Sequence, residues 1–437
     1  MKLNLELIPR HPGLLAGHDN DVEVMVRLSG PELEESQDIE RSPINLGIVI
    51  DRSGSMRGQP LTEANRSACY IVDRLSQYDY VSVVSYDNDV QINVPAQKAT
   101  DKQSIKFAIE SIQHGGSTNL HGGWLAGAEQ VARHDDVCSV NRVLLLSDGC
   151  ANAGLTDLDA ICDQVHSLAN RGITTSTCGL GAHFEEMFMV QMAKAGGGNS
   201  YYGQLAEDLM DPIIEEFDLL RSLIAQQVRL AVSAHESVQI ELLNDFSKTP
   251  TGWTLPDVAS VGDVWAILRL RIPSNRTGQG NGELIEVLHN LVVSYCDLEG
   301  ETHQVQIESF KLPSLPPSAW KQVASDEVVQ TRLLELEAAR IQREARRAAR
   351  QRDWRRVDAL LLEARQKAGD NDWIKDSLDS LERYAAQREM ESFAKEAMYK
   401  SEKMSSRKVA RNESFDPSMD STMASYLQRK SEQGKKR

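Results

Sequence analysis

The sequence predicts a multidomain protein, in which a doubly wound α/β domain is inserted in, or followed by, a β-sandwich and then by a C-terminal α-helical hairpin region. Three observations carry this reading. Between residues 44 and 225, short apolar runs of β-type residues alternate with helix-length segments, the pattern of a mostly parallel sheet covered on both faces. From 226 to 312 the chain turns to strand-like runs separated by Gly-, Pro- and Asn-rich turns, as in a sandwich. From 325 to 399 it is almost entirely helix formers.

In chain order, LNLELI (3–8) and DVEVMVRL (21–28) read as strands, the second with the period-two alternation of a half-buried one. Two lone strands cannot fold alone. Residues 1–43 are therefore expected to complete the sandwich, with the α/β domain of residues 44–225 as an insertion whose ends lie close together. A polar, acidic stretch, Pro31–Ser42, precedes that domain. Its strands are INLGIVI (44–50), YVSVVSY (80–86), RVLLLS (142–147), GITTSTCGLG (172–181) and SYYG (200–203). Helices are expected over Leu61–Leu75, Lys102–Ile112, Leu120–Arg133, Asp157–Ala169, Phe184–Ala195 and Ala206–Ala225. The sandwich strands of 226–312 are QVRLAVSA, VQIELL, DVWAILRLRI, ELIEVLHNLVVSY and HQVQIESF. LPSLPPS (312–318) reads as a rigid linker. Within the helical region 319–400, residues 352–385 read as two amphipathic helices joined by GDND, a hairpin resembling a single tetratricopeptide-like unit. Residues 401–437 lack periodicity and read as a disordered tail.

Charge is unevenly placed. Residues 316–437 hold 26 basic against 21 acidic side chains, a net of +5, and residues 1–315 hold 22 against 43, a net of −21. An acidic body argues against a nucleic-acid-binding core and favours cations. The start has no apolar leader, and no uncharged apolar run approaches membrane-spanning length. The six cysteines are scattered without a CxxC pair and read as reduced core thiols. A cytoplasmic protein without membrane or nucleic-acid contacts is expected.

In a doubly wound sheet, ligands sit beyond the carboxyl ends of the strands. The first α/β strand ends in Asp51-Arg-Ser53-Gly-Ser55-Met. Oxygen side chains at alternate positions leave the strand together, Gly54 permits a tight turn, and a helix N-terminus follows. Two further oxygen-bearing loops lie at the same end of the sheet: Gly115-Gly-Ser-Thr118-Asn-Leu, and Ser147-Asp148-Gly149 after a buried strand. Hard oxygen donors suit magnesium, manganese or calcium. Each fragment alone reads more simply as a helix cap or a turn; the three together do not. His114 and His121 read as rim residues, and Asp87, Asn88 and Asp89 as a hairpin turn before VQINV. Neither nucleotide-binding glycine loop is present, nor a GxSxG elbow.

In this order and at these intervals, DxSxS, the Gly-Gly-x-Thr loop and SDG resemble the metal-ion-dependent adhesion site of von Willebrand factor A (VWA) domains. FEEMFMVQMAKAGGGNSYYG (184–203) resembles that family's last helix and strand. The resemblance covers residues 44–225 and implies a Rossmann-like fold. It also implies metal ligands at Asp51, Ser53, Ser55, Thr118 and Asp148. Ser53 and Ser55 would coordinate directly, Thr118 directly or through water, and the two aspartates partly through waters. An extra hydroxyl, Ser117, precedes the threonine; Thr118 is the better match because Asn119 follows it as in many relatives. The implied ion is Mg2+, with Mn2+ or Ca2+ as alternatives, and its open position would take an Asp or Glu of a protein partner.

The function expected is a cation-dependent protein-binding module, a scaffold, adaptor or assembly factor and not an enzyme, with a further partner on the C-terminal helices. A magnesium-dependent enzyme of phosphoryl transfer or hydrolysis is the alternative, but it would need more carboxylates and a basic clamp. A third reading is a secreted adhesin-type protein. It comes from similarity to inter-alpha-trypsin inhibitor heavy chains, which also join this domain to β-structure. Cytosolic bacterial VWA proteins of such architecture resemble the chain more.

Overall fold

The computed structural model describes residues 2–31, 43–135, 140–148, 151–180, 186–203, 210–260, 262–405 and 409–410. Among them, no helix is long and apolar enough to cross a membrane. The chain opens with β1 (Asn4–Pro9), a short β2 (Leu14–Leu15) and β3 (Asn20–Ser29), with β1 antiparallel to β3 from Asn4 opposite Ser29. Most of the acidic stretch that follows lies outside the described residues.

A six-stranded sheet comes next, built from β4 (Ile44–Asp51), β5 (Tyr80–Tyr86), β6 (Val90–Lys98), β7 (Val140–Ser147), β8 (Ile173–Leu180) and β9 (Gly197–Gly203). Its order is β6-β5-β4-β7-β8-β9, parallel throughout except for β6. Helices α1 (Gln59–Arg74), α2 (Lys102–Glu110), α3 (Leu120–Val131), α4 (Leu158–Ala169), α5 (Glu186–Ala195) and α6 (Met210–Arg221) cover both faces. Every residue of β4 and β7 is buried, which is why both read as continuous apolar runs. Alternate β4 side chains enter different cores. Ile44, Leu46, Ile48 and Ile50 pack with Leu61, Ile71, Ile109 and Phe217. Val49 packs instead with Trp124, Leu145, Ile161 and Phe188. Gly47 lets α3 cross closely: a Cβ there would stand 2.7 Å from Val131 Cγ2 and 3.1 Å from the Gly127 carbonyl oxygen.

Only Ser222 separates α6 from β10 (Leu223–Ser233). The helix expected over 206–225 therefore ends at Arg221. Leu223 and Ala225 pair with the short β14 (below) and begin a strand. After β10 come β11 (Gln239–Leu242), β12 (Lys248–Thr249), β13 (Gly252–Thr254), β14 (Val258–Ala259), β15 (Gly262–Ile272), β16 (Leu284–Cys296) and β17 (Thr302–Leu315). One sheet has the order β1-β3-β15-β11, and a second the order β12-β13-β10-β16-β17-β2. A single cluster joins them, with Val24, Val26, Leu268 and Leu270 from the first and Val228, Leu230, Leu291 and Val293 from the second. The stretch LPSL, expected to be linker, is instead the end of β17, with Pro313 opposite Leu284 and Ser314 and Leu315 paired with β2.

Beyond a short α7 (Pro317–Trp320) lie four helices and not a lone hairpin: α8 (Glu327–Arg350), α9 (Trp354–Ala368), α10 (Asp372–Gln387) and α11 (Met390–Ser405). They share one core that includes Ile341, Leu360, Leu378 and Phe393. Asp326, Asp353 and Asn371 cap α8, α9 and α10, each accepting a backbone N–H three residues on. Residues 401–405, placed in the tail by their composition, belong to α11; β18 (Val409–Ala410) pairs with the start of β15, and residues 411–437 lie outside the described ones.

Candidate metal centre

Asp51 is the last residue of β4, and its carboxylate is buried. Oδ1 accepts the Ser53 N–H at 2.8 Å and Oδ2 accepts the Ser147 hydroxyl at 2.6 Å. Burial pushes the Asp51 carboxyl up, against the hydrogen bonds from Ser147 and Ser53 that favour its anion. The turn that follows folds back on itself: Ser53 Oγ lies 3.1 Å from Ser55 Oγ, and the Ser55 hydroxyl donates to Asp148 Oδ1 at 2.9 Å. Asp148 stands at the carboxyl end of β7, whose Leu146 lies opposite Ile50 of β4. A continuous line of oxygen contacts thus links Ser53, Ser55 and Asp148 above the sheet, while Asp51 anchors it from below.

Thr118 joins this group through its loop. The Gly54 N–H donates to the Gly116 carbonyl at 2.7 Å, and the Gly115 N–H donates to the Arg52 carbonyl at 2.6 Å. These bonds stitch the threonine loop to the serine turn, where Thr118 is buried and Ser117 exposed. The Thr118 N–H donates to Asn152 Oδ1 at 2.7 Å, and its carbonyl accepts the Asn152 and Ala153 N–H groups.

Sequence reasoning missed the residues that hold this loop. Asp87 and Asn88 do form the β5–β6 turn, but their side chains also reach the threonine loop. Asp87 Oδ2 accepts the Gly116 N–H at 3.0 Å, its Oδ1 binds Arg52 Nη2 at 2.8 Å, and Asn88 Oδ1 accepts the Ser117 N–H at 2.7 Å. Gly115 has no room for a side chain, because a Cβ would overlap the Asp87 carboxylate. The available signal was positional: acid and amide at the carboxyl end of a parallel strand. His121 is half-buried and bonds Gln164, and His114 is exposed. Gly149 of the SDG motif, with Cys138 and Cys150, lies outside the described residues. Of the four described cysteines, all free, Cys178 is fully buried and the half-buried Cys69 packs against the same core, while Cys162 and Cys296 are half-buried.

The donor set fits a hard cation. It offers hydroxyl and carboxylate oxygens only, with two acids and an exposed Ser55. A second acidic group lies in the β16–β17 turn, where ligand atoms of Asp297, Glu301 and His303 fall within 4.8 Å of one another. There Asp297 accepts the turn's Glu299 and Glu301 N–H groups and pairs with His303 at 2.5 Å, which a turn-closing role explains.

A Rossmann-like α/β domain with oxygen donors gathered at the carboxyl ends of two adjacent strands defines a class of ligand-binding modules. Residues 45–212 match the von Willebrand factor type A domain family, so this chain carries a VWA domain. The uncharacterized protein YfbK of Escherichia coli is 32% identical over 199 residues, covering 45% of this chain and 33% of YfbK. Inter-alpha-trypsin inhibitor heavy chain H3 of Homo sapiens is 26% identical over 164 residues, covering 36% of this chain and 18% of that one. The chain thus spans a third or less of the length of these relatives. The solved VWA structure from Catenulispora acidiphila superposes with a TM-score of 0.66 at 17% identity, over 86% of this chain and 88% of that one. Likeness of fold therefore extends past the VWA domain, through the added strands and the C-terminal helices.

Proposed function

We propose that this protein is a divalent-cation-dependent binding module that captures a carboxylate of a protein partner. VWA domains generally mediate protein–protein interaction, and the observation that carries the finer reading is the Ser53–Ser55–Asp148 line of contacts over a buried Asp51. Ser53, Ser55, Thr118, Asp51 and Asp148 would hold Mg2+, with Mn2+ or Ca2+ as substitutes. The cation, when bound, supplies a Lewis-acidic centre for an incoming Asp or Glu. Asp51 fixes the serine turn through the Ser53 N–H, and Asn152 and Asp87 fix the threonine loop. Three of the five donors are neutral hydroxyls, weaker donors to a hard dication than a carboxylate, which favours an anionic partner group at the open position.

A binding role also fits the electrostatics better than phosphoryl transfer. The nearby cation Arg52 is engaged by Asp87, and the body of the protein is acidic. We read the module as cytoplasmic and without nucleic-acid or membrane partners. We also read it as set into a single sandwich formed by residues 1–43 and 226–312. The test is titration with Mn2+ followed by electron paramagnetic resonance. The wild type should bind, and Asp51→Ala and Asp148→Ala should each lose most of the affinity with the fold retained by circular dichroism. Unchanged binding in both variants would remove the site.

A further inference from the structure

Helix α8 reaches from the β1-β3-β15-β11 sheet to the metal-bearing end of the VWA domain. Near its start, Val329 and Leu336 pack on Met25, Trp265 and Ile267, and the Arg332 guanidinium lies 5.3 Å over the Trp265 ring. Its last turns meet Glu186, the first residue of α5. Arg346 Nη2 is 3.1 Å from Glu186 Oε1, and Arg350 bonds the same oxygen. Glu186 follows β8, whose Gly179 lies opposite Ser147 of β7. Strands β4, β7 and β8 run parallel, so the residues after them emerge at one end of the sheet. That end carries Asp51 and Asp148, and there Glu186 pins the tip of α8. The 24 residues of α8 span about 36 Å, enough to bridge the two layers.

Residues 346–356, at that tip, hold six arginines against one carboxylate, Asp353. Arg346 and Arg350 are engaged by Glu186, and Arg356 lies 3.8 Å from Glu344. Arg347, Arg352 and Arg355 are exposed and enter no ion pair among the described residues. The helix dipole explains a cation at Arg347, in the last turn of α8. It does not explain Arg355, in the first turn of α9, where a positive charge is unfavourable.

We propose that Arg347, Arg352 and Arg355 form a docking rim for an acidic segment of the partner, flanking the carboxylate that reaches the metal. The inference rests on the metal-capture reading above and names its partner class: a protein segment with several Asp or Glu residues, and not a single isolated one. Charge complementarity selects such a segment. A nucleic acid has no carboxylate for the cation.

The test is fluorescence anisotropy on the full chain with two labelled peptides in Mg2+: an oligoglutamate and a Gly/Ser peptide bearing one Asp. Wild type should bind oligoglutamate about tenfold tighter, with a steeper salt dependence. The triple substitution R347Q/R352Q/R355Q should erase that difference and leave Mn2+ binding and the one-Asp peptide unchanged. Equal preference for oligoglutamate in wild type and triple variant would overturn the rim. So would tighter binding of a single-stranded RNA of matched charge. Retention of oligoglutamate binding in chelator, with loss in the triple variant, would keep the rim and sink the metal-capture reading instead.

Discussion

Arg142 of β7 and Glu216 of α6 face each other 3.6 Å apart, both side chains withdrawn from solvent. Ser176 bridges them, donating to Glu216 Oε1 at 2.6 Å while accepting from Arg142 at 2.9 Å; Asn199 and Tyr201 donate to the other Glu216 oxygen. Asp257 approaches the same guanidinium at 3.4 Å from the loop between β13 and β14. Glu216→Ala removes one partner of a buried pair and should cost about 3–5 kcal/mol. The midpoint of urea unfolding checks it; a shift worth less than about 1 kcal/mol would mean that Asp257 alone satisfies Arg142.

The same pair gives a pH dependence. Burial alone would raise the Glu216 carboxyl, but the Arg142 guanidinium and the bonds from Ser176, Asn199 and Tyr201 outweigh it and hold the pKa below the usual carboxylate range. A depressed acid contributes stability that is present above its unfolded value, about 4.3, and is lost as pH falls through the folded value. Acid unfolding curves should therefore show wild type losing its advantage over Glu216→Gln below about pH 4. A gap that is constant from neutral to acid pH would contradict this.

Asp87 touches none of the proposed ligands directly, yet it holds the loop that carries Thr118. Supporting residues of this kind typically contribute 10–100-fold to metal affinity, so Asp87→Ala should weaken Mn2+ binding by about tenfold. Paramagnetic titration reads this out, and wild-type affinity in the variant would show that the loop is held by Asn88 and Asn152 alone.

Gly47→Ala tests the close crossing of α3 over β4. The added Cβ meets Val131 at 2.7 Å and backbone at 3.1 Å, an overpacking expected to cost about 1–3 kcal/mol. Differential scanning calorimetry should show a lowered Tm; an unchanged one would mean that α3 lifts away freely.

Deleting residues 2–30 strips β3 from β15 along a register that runs from Val264 opposite Leu28 to Ile272 opposite Asn20. Hydrogen exchange should find amides 264–272 deprotected while β4 and β7 stay slow. Equal protection of 264–272 in both chains would show that the remaining strands hold β15 without help.

What could be read from the sequence followed local rules. Ser53, Ser55 and Asp148 were visible because each follows a buried strand by one to four residues, so chain direction alone carries them to one place. Asp87, Asn88 and Asn152 were not, since their work is done across loops remote in sequence, and an Asp-Asn-Asp turn looks complete without it. Helix content after residue 325 was plain from composition, but the break at Arg388 was hidden. Its left-handed backbone, φ 56°, occurs at a residue type with no turn preference. The run Leu312–Leu315 misled because its proline suggested a linker, whereas a sheet tolerates proline where ladder bonds are few, as beside the two-residue β2.

The single residue between α6 and β10 leaves no slack at that junction. Ser222 closes the helix by donating its hydroxyl to the Asp218 and Leu219 carbonyls, and its own carbonyl accepts the Ser260 N–H. Any slide of α6 along its axis would drag the first rungs of β10 out of register with β14. Melting of either layer then removes the footing of the other, and the two should give way together, with calorimetric and van't Hoff enthalpies in agreement.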